Sequence, residues 1–219
     1  VNDIHSPLAQ ACQWVLPLHA GVESSVAATK SFLAQMTASA RLVAHWCGDQ
    51  TLQSAVNNLP QVLAKAAPAW DDGLSPLHAA DRLYVIGRGT GLAAAQELAL
   101  KFKEVCGLQA EAFSAAEVRH GPLALIKKGF PVLVLGLRGA AHRGLLDLAL
   151  ELRTAGAQVL LAAPPDTPEC DLPLHATGHE DLDPIALVQS FYPAVESLAR
   201  LRGVHPDHPP NLSKVTRTQ

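Results

Sequence analysis

Three titratable side chains in this sequence can share one helix face. Glu97, Lys101 and Glu104 stand at i, i+4 and i+7, the spacing that places side chains on a single stripe of an α-helix. Two carboxylates flanking an ammonium can move protons, because the lysine tunes the carboxylate. The same spacing also builds an ordinary ladder of surface ion pairs, and spacing alone leaves both readings open. Further along, Glu117-Val-Arg-His120-Gly121-Pro122 puts a histidine where a helix must stop and the chain turn. Such a histidine can reach into a cleft and exchange protons near neutral pH; a structural histidine at a helix end is the plainer reading. The stretch Gly203 to Gln219 carries His205, Asp207, His208 and Lys214 among three prolines. Ordered, it can fold over a site as a lid that brings Lys214; otherwise it is a loose terminus. His205 and His208 flank a proline-restricted turn without a third ligand pattern, so no metal is expected. Gly87-Arg-Gly-Thr-Gly91 follows a strand and opens a helix, a place suited to an anion. It lacks the last glycine of G-x-G-x-x-G, and tight strand–helix packing explains it equally well.

These residues need elements to hold them. Leu83 to Ile86 reads as a buried strand and Ala93 to Val105 as the helix bearing the Glu97–Lys101–Glu104 stripe. Ala110 to Phe113, Pro131 to Leu137, Val159 to Ala163 and Leu172 to His175 read as further strands. Arg143 to Ala155, closed by Gly156, and Pro184 to Arg202 read as helices. Strands alternating with helices predict an α/β fold, a three-layer α-β-α sandwich around a parallel sheet. Upstream, Ser6-Pro7 starts a short helix to Gln13, and Trp14 to Leu18 reads as a short strand. Ser24 or Ser25 is expected to cap a helix running to Trp46. Leu52 to Ala66 is helical, with a break or restart at Pro60. Pro68 to Ala79 reads as a connector.

Composition narrows the function. The 219 residues are 48% apolar and 17% charged, enough for a sizeable core and too hydrophobic for a disordered chain. The 17 basic and 20 acidic residues leave a net charge of −3. No basic excess exists to neutralise a phosphate backbone, so nucleic acid is not an expected partner. No apolar run reaches the ~18 residues of a membrane span, and no signal peptide is recognisable. The four cysteines form no C-x-x-C pair, which fits buried reduced thiols in a cytoplasmic protein.

One repeat stands out. Leu16-Pro-Leu-His-Ala20 recurs as Leu172-Pro-Leu-His-Ala176. The repeat suggests two similar α/β units, of which this chain keeps only the tail of the first. The expected division is a remnant of the first unit with its connecting helices over 1–66, a second unit over 67–203 and a tail over 204–219.

Taken together, these segments resemble a known family. The run Gly87-Arg-Gly with Glu97-Leu-Ala-Leu-Lys101-Phe-Lys-Glu104, then Ala110-Glu-Ala-Phe-Ser-Ala-Ala-Glu117-Val-Arg-His120-Gly-Pro-Leu-Ala-Leu-Ile126, resembles the sugar-isomerase (SIS) domain of glucosamine-6-phosphate synthase. Val22 to Phe32 resembles the end of that family's first SIS domain, and Pro209 to Lys214 resembles its C-terminal tail. The resemblance implies a flavodoxin-like SIS fold in tandem, with the first copy truncated. It implies that Glu104 is the base moving a proton between C1 and C2 of a sugar phosphate. His120 corresponds to the residue that assists ring opening from the neighbouring subunit of a homodimer. Lys214 corresponds to the tail lysine that engages the open-chain carbonyl. Glu97 and Lys101 support the site. Val26, Ala28 and Ser213 line the substrate, with Ala28 standing where the synthase has serine. No cofactor or metal is implied.

Two departures weigh on the function. The family's phosphate loop, a Ser-x-Ser run at a helix start, is absent from this sequence, so weak sugar-phosphate binding is expected of the chain alone. The second is that these 219 residues contain no stretch resembling the family's glutaminase domain, which a synthase is expected to need for ammonia. The ending Lys214-Val-Thr-Arg-Thr resembles the stand-alone SIS-type glucosamine-6-phosphate deaminases. The leading expectation is therefore an isomerising deaminase that yields fructose 6-phosphate and ammonia. The alternatives are the isomerase half of a glutamine-dependent synthase, and a sugar-phosphate-sensing SIS module.

Overall fold

A computed structural model describes residues 1–65 and 70–214. The apolar runs around Val85, Leu133 and Leu161 lack polar alternation, so each needs cover on both faces. They lie in a five-stranded sheet made of β1 (Arg82–Gly87), β2 (Gln109–Ser114), β3 (Pro131–Leu135), β4 (Gln158–Ala163) and β5 (Leu172–Pro173). The strand order is β2-β1-β3-β4-β5 and every pairing is parallel. Side chains alternate across it. Leu83 and Val85 enter one core, and Tyr84 and Ile86 enter the other.

Among the described residues the α-helices are α1 (Pro7–Ala11), α2 (Lys30–Cys47), α3 (Gln50–Lys65), α4 (Thr90–Cys106), α5 (His142–Thr154) and α6 (Asp183–Leu201). On the first face, α4 and α6 pack through Ala95, Leu98, Phe102, Leu187 and Phe191. Phe102 and Phe191 meet edge to face at 5.1 Å, and the Trp70 indole donates to the Pro173 carbonyl at 3.0 Å. On the second face, α5 buries Leu145, Leu148 and Leu152 against Val132, Val134 and Leu161. The predicted three-layer α-β-α architecture is what the chain adopts. Outside it, α2 and α3 bury Ala44, Val56 and Leu59 against Leu182 and Ile185 at the start of α6.

Several local expectations change. Trp14 to Leu18 forms no strand; Trp14 is 82% exposed, and only Val1 pairs there, through Leu16 and Leu18. The second copy of the repeat becomes β5, shortened to two residues, because Ala162 and Ala163 of β4 supply a partner edge. α2 begins at Lys30, not at Ser24 or Ser25. α3 runs unbroken through Pro60. The backbone bond lost there is offset by burying Leu52, Val56 and Leu59. Of the four free cysteines only Cys106 is buried, and Cys12 and Cys47 are exposed. Burial pushes the Cys106 thiol up to about 12, against the nearby Arg202.

Arg202, just past α6, is the main tie at the foot of the sheet. Its guanidinium donates to the carbonyls of Cys106 at 2.9 Å, His78 at 2.6 Å and Ala80 at 2.8 Å. At the other end, Gly87 decides how closely β1 turns into α4. A Cβ on Gly87 would lie 2.4 Å from the Gly91 carbonyl oxygen, a backbone atom that cannot step aside. The glycine-rich loop is thus explained by packing. Gly87→Ala is expected to destabilise the fold by about 2 kcal/mol or more, measured by urea unfolding. Wild-type stability would remove this packing role.

Candidate active site

The helix stripe read from spacing is neither exposed nor a surface ladder. α4 lays its alanines on the sheet and turns Glu97, Lys101 and Glu104 toward α6 and the N-terminal segment. Lys101 Nζ lies 3.2 Å from Glu97 Oε1 and 2.7 Å from Glu104 Oε2. The side chains of Lys101 and Glu97 are 4% and 5% exposed, whereas Glu104 keeps 20%. A buried ammonium without a partner is costly, so its two carboxylates are a condition of the fold. Glu104 is the member of the set that still meets solvent.

Tyr192 of α6 completes the cluster. Its hydroxyl donates to Glu97 Oε1 at 2.8 Å. Burial, followed by the charge and hydrogen bond of Glu97 and then the charges of Glu23 and Glu104, pushes the phenol well above its ordinary range. It therefore remains a donor.

The wall facing the triad comes from residues 23–29. Glu23 organises it. Glu23 Oε1 accepts from the Thr29 amide at 2.8 Å and the Ser31 amide at 3.3 Å, and Oε2 accepts from the Ser31 hydroxyl. Burial raises the Glu23 pKa, but the Ser31 hydroxyl and the amides of Thr29, Ser31 and Lys30 outweigh it and bring it from 4.5 to about 2. This carboxylate caps the start of α2 in place of a serine. It also holds the loop that carries Val26 and Ala28, both half-buried.

A cleft of about 230 Å³ lies between these parts, lined by Ser25, Ala27 and Thr29, by Lys101 and Tyr192, and by Asp207 of the tail. The Ser25 hydroxyl bonds Asp207 Oδ1 and so joins the two ends of the chain over the cleft. The tail is ordered as far as described. His205 and His208 face each other at 4.7 Å. Among the described residues no group of three His, Cys, Asp or Glu side chains converges as a metal would need. Ser213 and Lys214 are exposed, and Lys214 makes no ion pair with another described residue. A larger hollow of about 460 Å³, lined by Arg82, Lys127 and Lys128, contains none of the expected site residues.

His120 stands apart from the triad. It ends a 3₁₀ turn (Glu117–His120) and is exposed. Val118 in that turn packs in the second core, and Arg119 pairs with Glu151 of α5 at 2.6 Å. α4 covers the opposite face of the sheet. One chain therefore brings together Glu97, Lys101 and Glu104, with the loop of Val26 and Ala28 beside them, but not His120.

Residues 76–163 match the SIS domain family. The chain carries a SIS domain. Its whole length aligns at 35% identity with 38% of an isomerising glutamine–fructose-6-phosphate aminotransferase from Aeropyrum pernix. The structure superposes on solved chains, among them the following three. One, from Silicibacter pomeroyi and assigned as a phosphosugar isomerase, is 41% identical with TM-score 0.85 over 94% of this chain and 63% of its own. The C-terminal domain of the Francisella tularensis glucosamine–fructose-6-phosphate aminotransferase gives 25% and 0.82 over 95% and 63%. A Thermotoga maritima glucosamine-6-phosphate deaminase gives 26% and 0.75 over 97% and 64%. The chain thus spans less than two fifths of the curated aminotransferase.

Sequence reasoning missed Tyr192, the capping role of Glu23 and the Ser25–Asp207 link. Partners of Tyr192 and Asp207 lie 95 and 182 residues away, where spacing carries no signal. Glu23 stands seven residues before the start of α2, too far upstream for a local capping signal.

The Glu23 cap gives a pH-dependent expectation. A carboxylate with a lowered folded pKa stabilises above its ordinary value and loses that contribution as pH falls through its folded value. Glu23→Gln should therefore lower the melting temperature at pH 7 by roughly 2–5 °C. The gap to wild type should close as pH falls from 4.5 through about 2. A gap independent of pH would show that the loop is held by something else.

Proposed function

We propose that this chain is the C-terminal part of an isomerase acting on a 6-phosphorylated amino sugar, as in the isomerising aminotransferases it resembles. The observation that carries the reading is the buried Glu97–Lys101–Glu104 cluster, in which Glu104 alone keeps solvent exposure and Lys101 lines a cleft. Exchange between aldose and ketose forms requires one base that reaches two adjacent carbons. Glu104 would take the proton from C2 of the open-chain amino aldose and return it to C1 while a proton passes from the C2 nitrogen to O1; the C2 imine so formed takes up water and releases ammonia to give the ketose, and the reverse sequence builds the amino sugar. Lys101 Nζ, 2.7 Å from Glu104 Oε2, would hold that carboxylate in place. Val26, Ala28 and Ser213 would line the substrate, and Lys214 would approach the carbonyl oxygen as the tail closes.

The turn that ends in His120 buries Val118 on the face of the sheet opposite α4, and no contact among the described residues joins His120 to the triad. We therefore infer that it assists ring opening in the site of a second copy, within a homodimer. The division into a first-unit remnant over 1–66, a SIS unit over 67–203 and a tail from 204 belongs to the same proposal. No helix among the described residues is long and apolar enough to cross a membrane.

An isomerising deaminase is the second reading. It is favoured by the likeness to the Thermotoga maritima deaminase over 97% of the chain and by the ending Lys214-Val-Thr-Arg. A sensing module would have no use for a buried, proton-ready cluster.

The whole protein should interconvert glucosamine 6-phosphate and fructose 6-phosphate. Glutamine-dependent formation of the amino sugar marks the aminotransferase; release of ammonia from it without glutamine marks the deaminase. Glu104→Gln should lower either rate by roughly 100-fold or more while circular dichroism stays unchanged. Undiminished turnover in that variant would remove Glu104 from the mechanism. A folded wild-type protein that does neither reaction would contradict the amino-sugar reading.

A further inference from the structure

We propose that Tyr192 is a positioning residue that sets how the single Lys101 ammonium is divided between Glu97 and Glu104. The proposal rests on the reading of Glu104 as the base and deepens it. Glu97 Oε1 receives two donors, the Tyr192 hydroxyl at 2.8 Å and Lys101 Nζ at 3.2 Å. Lys101 sits closer to Glu104, at 2.7 Å. One ammonium cannot neutralise two carboxylates in a buried site, so each competes for it. The outcome depends on what else each carboxylate has to accept.

With the phenol in place, Glu97 is partly satisfied by a neutral donor and the ammonium leans toward Glu104. Without the phenol, the buried charge of Glu97 would draw Lys101 to itself. Glu104 would then lose cationic support and hold its proton to higher pH. Tyr192 suits this task because burial and the surrounding carboxylates keep it protonated. Its ring is held against Phe191 at 6.2 Å, so the hydroxyl is aimed by packing. The other charged groups around the cleft are Glu23 from the N-terminal segment, Glu196 on α6 and Asp207 on the tail. None of them donates to Glu97.

The test is a ¹³C-carboxylate NMR titration of Glu104 in the whole protein, the signal assigned by its loss in Glu104→Gln. In Tyr192→Phe its midpoint should rise by ~0.5–1 pH unit. In Glu97→Gln it should fall, because Lys101 then serves one carboxylate. In turnover, Tyr192→Phe should lower kcat roughly tenfold with KM within about twofold, and move the acid limb of the pH profile upward with the NMR midpoint. An unchanged midpoint in folded Tyr192→Phe, or the same direction of shift in both variants, would overturn the proposal. Glu97→Gln retains the Tyr192 ring and so tests the division even if the phenylalanine variant fails to fold; no downward shift there overturns it too. Opposite shifts in a wild-type protein without isomerase activity would uphold the role of Tyr192 and overturn the functional reading instead.

Discussion

Burying an ammonium commits everything around it. Lys101 is almost fully removed from water, and an unpaired charge there would cost several kcal/mol. The chain answers with two carboxylates on the same helix and a phenol from the next. That answer requires α4 and α6 to lie side by side, which the Phe102–Phe191 contact and the small residues of α4 permit. It also requires a wall that keeps solvent from Lys101 while leaving Glu104 reachable. Residues 23–29 form that wall, held by the Glu23 carboxylate, and the tail joins it through Asp207. The cleft is therefore a consequence of how one positive charge is accommodated.

The parallel sheet imposes the second constraint. Its two faces are separated by a packed core, and α4 and the turn ending in His120 belong to different faces. Among the described residues no contact joins His120 to the triad of its own chain. In the proposed function this is met by pairing copies, so that one chain's triad faces the histidine of another.

Much of this was readable from residue patterns, and the exceptions have physical causes. The strands around Val85, Leu133 and Leu161 were legible because a buried parallel strand has no polar residue to confuse its period. The Glu97–Lys101–Glu104 stripe was legible because helix geometry alone puts those residues together. Its burial was not, since that depends on α6 and the N-terminal segment. The start of α2 was misplaced because Ser24 and Ser25 look like caps, whereas the capping oxygen comes from Glu23 and the chain stays extended to Thr29. Pro60 was misread because a single lost hydrogen bond weighs less than the apolar face of α3. Trp14 to Leu18 has strand-forming residues but no partner edge beyond Val1. Tyr192 was invisible because a tyrosine in an apolar helix reads as core until its hydroxyl is seen on Glu97.

The central claim is that a working site combines the triad of one chain with His120 of another. Its most direct test mixes two variants of the whole protein, Glu104→Gln and His120→Asn, each inactive alone. Random reassortment makes about half the dimers mixed, and each mixed dimer holds one site with both groups intact. The account predicts recovery of about a quarter of wild-type turnover on reassortment. A reassorted sample as inactive as its parents would contradict it, and would return His120 to the site of its own chain or remove it from catalysis.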